Sequence, residues 1–182
     1  MSTYIALLRG INVGKAKRVP MAQLRELLTG LGYDAVETLL NSGNAVFQAK
    51  RGSELSHAKA ISAAMQQHFG FEVPVIAKSA QTLGHVVAEN PFVHETVDHS
   101  KLLVAFASEA QALAGLRSLE SLVSPPERFA VGGSAAFLYC ANGILESQVA
   151  AAMLGKVGKA VTTRNWSTTL KLHALARGGD ER

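Results

Sequence analysis

The sequence predicts an α+β protein of two subdomains, on three observations. A continuous apolar run at residues 3–9 precedes leucines spaced as one face of a helix. Two short strand candidates flank Asn41-Ser42-Gly43-Asn44, and a second strand-helix-strand-strand succession begins after residue 100. Of 182 residues, 48% are hydrophobic and 18% charged, which supplies the apolar mass for a core and excludes a disordered chain.

Thr3 to Arg9 (TYIALLR) shows no polar alternation and reads as a buried strand. Gly10 to Val19 is a polar loop running to Pro20, which suits the first turn of a helix. Leu24, Leu27, Leu28 and Leu31 give that helix its apolar face, and Gly32 is its left-handed stop. Val36 to Leu40 and Ala45 to Ala49 form a hairpin around the Asn41 to Asn44 turn. Ser53 caps a second helix with Leu55, Ala58, Ile61, Met65 and Phe69 inward and Gly70 at its end, and Glu72 to Ala77 is the fourth strand. This order, βαββαβ, is the split-βαβ or ferredoxin-like arrangement.

Ser79 caps a short helix that ends before Pro91, and Asn90 to Ser100 reads as a linker. The ferredoxin-like subdomain is thereby placed at 1–90, and a second, smaller α+β unit with a C-terminal helix at 91–182. The second unit holds a strand at Leu102 to Ala107, a helix through Leu113, Leu116 and Leu119, and strands at Arg128 to Val131 and Ala135 to Tyr139. A helix from Ile144 to Leu154, the glycine-rich Gly155 to Gly158, a short strand and a helix from Trp166 to Ala176 complete it. No residue-level repeat joins the halves, so any duplication is architectural.

The longest uncharged stretch, Phe129 to Leu145, is broken by glycines and falls short of the roughly 20 residues that cross a bilayer. The first residues lack a basic leader, and the single cysteine, Cys140, cannot form an internal disulfide, so a cytoplasmic protein is expected.

Net charge is +4, unevenly placed. Residues 1–25 carry five bases and no acid, residues 147–179 carry five more and no acid, and residues 26–146 hold seven bases against twelve acids. If the fold joins the two basic stretches, they form one cationic surface suited to phosphate, nucleotide or nucleic acid; if not, they are two solvated edges.

Gly10-Ile11-Asn12-Val13-Gly14-Lys15 sits between a strand and a helix, where a phosphate loop would sit. It has three residues between its glycines and Ala16 after the lysine, so it is no nucleotide-hydrolysing loop. It can still meet an anion through backbone N–H groups, Arg9, Lys15 and Lys17, or serve only as a surface crossover. Base stacking of the RNA-recognition type is not expected, since Asn44 and Val46 stand where aromatics are needed; phosphate-backbone binding stays open. The six histidines show no metal-ligand spacing, so neither a metal nor another cofactor is expected, and Cys140 reads as an inert buried thiol. Thr162-Thr163-Arg164-Asn165-Trp166 opens the last helix, with Asn165 as N-cap. Its composition is that of an anion site, or of a cap with a packing tryptophan and an acid-paired arginine.

Ala6 to Gly14, Met21 with Leu24-Arg25, Ser42 to Phe47, and Thr163 to Thr168 together resemble the signatures of a bacterial family, domain of unknown function 1697. The resemblance implies two α+β subdomains, the first ferredoxin-like, and no known activity. Against the family pattern, Lys15 stands for a glycine, Lys17 for an asparagine, and Gln148 for a lysine.

The reading is non-catalytic binding of a phosphate-bearing ligand or a nucleic-acid backbone at a basic site from both chain ends, with Arg9, Asn12, Lys15, Ser42, Asn44, Arg164 and Asn165 as the candidate residues. In its sharpest form Arg9 and Arg164 meet on one anion; the competing account pairs each with an acid such as Glu26 or Glu37. A small enzyme acting on an anionic substrate at the same site and a protein-interaction module are the alternatives.

Overall fold

Burial on both faces governs the central strands. The computed structural model describes residues 1–94, 98–155, 158 and 160–180, with side chains as far as Gly178. Lys156 and Lys159, part of the second basic stretch, lie outside the described residues. The chain forms two compact units, Met1–Leu83 with Leu172–Arg182, and Gly84–Lys171.

In the first unit β1 (Ser2–Leu8) runs between β3 (Asn44–Ala49) and β4 (Val75–Ser79), with β2 (Asp34–Leu39) outside β3, all antiparallel. Ala6 and Leu8 of β1, Ala45, Phe47 and Ala49 of β3, Leu24 and Leu28 of α1 (Met21–Gly30), and Ile61 and Met65 of α2 (Glu54–Phe69) share one core. Ile5, Leu7, Val46 and Ile76, on the other face, are at most 6% exposed. Two-sided burial explains why β1 reads as an unbroken apolar run. Ser53 caps α2 in a reciprocal box with Ser56, and Gly70, at φ 78°, ends it. The fourth strand starts at Val75, later than expected, because Pro74 has no N–H for the ladder; its carbonyl instead accepts from Arg9 N–H at 2.9 Å. Ser79 caps α3 (Ala80–Glu89), its Oγ accepting from Thr82 N–H at 3.0 Å.

The second unit repeats this topology. β5 (Leu102–Ala107) lies between β7 (Ala136–Tyr139) and β8 (Val161–Asn165), with β6 (Arg128–Val131) outside β7. With α4 (Ala110–Gly115) and α5 (Gln148–Leu154), its order is β5-α4-β6-β7-α5-β8, against β1-α1-β2-β3-α2-β4 in the first unit. The sheet orders, β6-β7-β5-β8 and β2-β3-β1-β4, match element for element. The single helix expected from Ile144 is divided at Ser147, whose side chain accepts from Ala150 N–H and starts α5 after a 3₁₀ turn at Ile144–Glu146. That is the competition between serine and the helix backbone. The last helix, α6 (Trp166–Asp180), begins with a fully buried Trp166. No helix among the described residues is long and apolar enough to cross a membrane.

The connections differ in length between the units, and the strand-to-helix link that opens each unit is the long one in the first. β5 reaches α4 through Ser108 and Glu109 alone, whereas β1 reaches α1 through residues 9–20. Two residues suffice for this topology, and such links usually take about 2–6.

Candidate functional site

The long β1–α1 loop is anchored at its base and exposed at its tip. Ile11 and Val19 are buried in the first core, while Val13 through Arg18 are exposed. Asn12 ties the base together. Its Nδ2 donates to the Val19 and Asn41 carbonyls at 2.9 and 2.7 Å, its Oδ1 accepts from Val19 N–H at 2.8 Å, and its own N–H donates to the Lys17 carbonyl at 3.1 Å. Three non-glycine residues in the left-handed region, Asn12, Lys17 and Leu40, flank these bonds at φ 55°, 50° and 58°. Each costs on the order of 1–2 kcal/mol relative to the right-handed region, a strain the hydrogen bonds and buried stems sustain.

The β2–β3 turn completes the base. Leu7 lies opposite Asn44, and Leu8 N–H donates to the Gly43 carbonyl at 2.8 Å, so Arg9 follows directly beside the turn. Gly43 has φ 90°, and a Cβ there would lie 2.7 Å from Leu8 Cβ and 2.8 Å from Ile11 Cδ1. Glycine is therefore required for the close approach of turn and loop. Asn44 is 0% exposed and spends its Nδ2 hydrogens on the Leu39 carbonyl and Ser42 Oγ. Asn12 and Asn44 thus act within the base, and Ser42 stays at the surface.

A depression of ≈ 290 Å³ opens beside this base, lined by Asn12, Arg18, Val19, Pro20, Met21 and Asn41. It holds the start of α1, whose N-cap, Pro20, offers no side-chain acceptor and whose first turn contains no acid, so the positive end of the helix is not offset locally. Lys15, Lys17 and Arg18 stand exposed on the adjoining tip, and Lys17 Nζ donates to the Glu72 carbonyl at 3.2 Å. Arg18 is one of the five bases of residues 1–25, and nothing in the sequence marks the Asn41 carbonyl as an anchor.

Arg164 and Asn165 belong to the second unit. Arg164 Nη1 donates to Thr162 Oγ1 at 2.9 Å and to the Thr163 carbonyl at 2.8 Å, and burial pulls its guanidinium down to about 10. Asn165 caps α6, its Oδ1 accepting from Thr168 N–H at 2.8 Å. A cavity of ≈ 380 Å³ in this unit, lined by Ser124, Pro125, Glu127, Asn142, Gly143, Glu146 and Gln148, carries two carboxylates and is unsuited to an anion. Burial, with the charge of Glu127, pushes the Cys140 thiol up to about 11, which keeps it protonated and unreactive at neutral pH.

Elsewhere in the second unit, a backbone anion receptor already has its occupant. The Glu89 carboxylate accepts from the N–H groups of Gly133, Ser134 and Ala135 at 3.2, 2.8 and 3.0 Å. A Cβ on Gly132 would lie 2.8 Å from Glu89 Oε1. Gly132→Ala is expected to destabilise by about 1–2 kcal/mol through displacement of this carboxylate, and urea unfolding should show Glu89→Ala/Gly132→Ala to be less than additive.

A family model described as "Protein of unknown function (DUF1697)" matches residues 1–137. The chain belongs to that family. The DUF1697 match includes the whole β1–α1 loop and the β2–β3 turn and ends before the Thr163 to Thr168 segment. Among solved structures, the DUF1697 chain is similar to a conserved bacterial protein, SP0830 from Streptococcus pneumoniae. The TM-score is 0.80 and the identity 24%, over 96% of this chain and 98% of that one. At that identity the likeness is one of fold. No curated protein matches this DUF1697 chain at a significant level.

Proposed function

We propose that the β1–α1 loop binds a phosphate-bearing ligand, a small molecule or a nucleic-acid backbone, without catalysing its conversion. The observation that carries this reading is the loop itself: residues 9–20 span a connection that the same topology makes with two residues in the second unit. The added length is pinned on Asn12 and displays Lys15, Lys17 and Arg18 beside the open start of α1. Helix N-termini and flexible cations favour phosphate oxygens. The lining of the adjacent depression has no aspartate, glutamate, histidine or cysteine to act as base or nucleophile.

Thermal unfolding with inorganic phosphate, a nucleoside triphosphate, or short DNA and RNA tests this. A ligand at 100 times its dissociation constant should stabilise by ~2.7 kcal/mol. Lys15→Ala/Arg18→Ala should abolish the gain while changing the free protein by less than about 0.5 kcal/mol, since both side chains are exposed. No shift with any of these probes, or the same shift in the variant, overturns the reading. Salt separates the two sources: a duplex engaging Lys15, Lys17 and Arg18 should lose affinity with a log-log slope of about −2 to −3. A small phosphate ligand that binds while the oligonucleotides do not assigns the loop to small molecules.

A further inference from the structure

We propose that His57 makes the first turn of α2 an acid-released clasp over the helix-covered face of the first sheet. His57 is 4% exposed. Its Nδ1 lies 2.9 Å from the Tyr33 hydroxyl, while Nε2, also buried, has no hydrogen-bond partner. The rings of Tyr4, Tyr33 and Phe47 surround it at centroid distances of 4.5, 5.2 and 5.5 Å. Nε2 lies under Gly52: a Cβ there would come within 2.6 Å of both Cε1 and Nε2. The Gly52 carbonyl is taken by the Tyr4 hydroxyl at 3.0 Å.

This site fits a neutral imidazole. With its proton on Nδ1 the neutral ring donates to the Tyr33 hydroxyl and leaves Nε2 a bare lone pair, so no N–H is buried without an acceptor. An imidazolium carries an N–H on both nitrogens, and the one on Nε2 would be buried without an acceptor. Burial accordingly holds His57 below its ordinary value. The groups that meet the ring are Tyr4 from β1, Tyr33 ahead of β2 and Phe47 from β3, and acid changes the charge of none of them. Glu54, on the same turn of α2, is directed to Lys78 Nζ, Ser79 N–H and Thr82 Oγ1.

The sign follows from proton linkage. With the closed-state value lowered, the released turn binds the proton more readily. The clasp is therefore fully held above the unperturbed value of about 6.5 and loosens as pH falls toward the depressed one. One proton bound on release makes the open population grow by up to tenfold per pH unit. Release uncovers Tyr4, Tyr33 and Phe47.

Two measurements test this. In the intact protein, NMR titration should place His57 below its unperturbed value. Backbone hydrogen exchange of α2, corrected for intrinsic rates between pH 7.5 and 5.5, should show the open population rising as pH falls, by up to tenfold. His57→Asn, which keeps a polar partner for Tyr33 but takes no charge, should flatten that slope, and His57→Phe, which fills the space, should do the same. A titration of His57 at the unperturbed value, or an equal slope in either variant, overturns the proposal. The wild-type titration decides even if a variant fails to fold.

Discussion

Glu54→Ala is expected to destabilise the protein by about 3 kcal/mol, among the largest effects of any surface-reaching residue. The carboxylate accepts from Lys78 Nζ at 3.3 Å, Ser79 N–H at 2.8 Å and Thr82 Oγ1 at 2.7 Å, which ties the start of α2 to the end of β4. Its removal strands the Lys78 side chain, only 10% exposed, while Glu54 itself keeps 30% exposure. The loss is therefore set at the low end for a broken buried pair. For a chain of this size it corresponds to a fall in Tm of about 6–12 °C. Glu54→Ala/Lys78→Met should recover much of it, since the stranded charge is gone; a double variant no better than Glu54→Ala would show that the hydroxyl and backbone contacts matter more. Burial alone would raise the Glu54 value, but the Ser79 N–H, the Thr82 hydroxyl and Lys78 outweigh it and leave the carboxyl below its ordinary range. Its contribution is thus present above the unperturbed value of about 4.3 and is lost as pH falls through the depressed one, a window below that of His57.

Asn12→Ala should cost a comparable ~3 kcal/mol, at about 1 kcal/mol for each of the side-chain bonds to Val19 N–H, the Val19 carbonyl and the Asn41 carbonyl. Alanine is also the poorer residue at φ 55°. Asn12→Gly removes the bonds without that penalty, and Asn12→Asp keeps only the acceptor for Val19 N–H, so the three variants apportion the effect. Urea midpoints and phosphate titrations of each should fall together if loop order and ligand binding are one property. A variant that loses stability yet binds phosphate with unchanged affinity would detach the tip cations from their anchor.

Local signals were readable where one residue type answers one backbone need. Ser53, Gly70, Ser79 and Asn165 each cap or stop the helix expected of them, and the TYIALLR run became a strand buried on two faces. Misreadings arose where a short polar residue had two options: Ser147 divided an apparently continuous apolar helix, and Pro74 delayed β4. The candidate site was half legible. Lys15 and Lys17 are visible by charge. Asn12 and Asn44 were singled out by composition as ligand groups, but the geometry commits their amides to carbonyls and a hydroxyl of the loop and turn. Glu89 could not be found at all, because its partners lie 44 to 46 residues away and are main-chain N–H groups that no side chain announces.

The first compact unit is discontinuous, taking Met1–Leu83 and then Leu172–Arg182, with the second unit threaded between them. On a ribosome adding about 5–20 residues per second, residues 84–171 must therefore emerge before the earlier unit can finish, a wait of about 4–18 s. During that interval β1 through β4 are all made, but the unit still lacks the distal half of α6. A stop codon after residue 171 would consequently remove residues of the amino-terminal unit, although they lie at the far end of the chain.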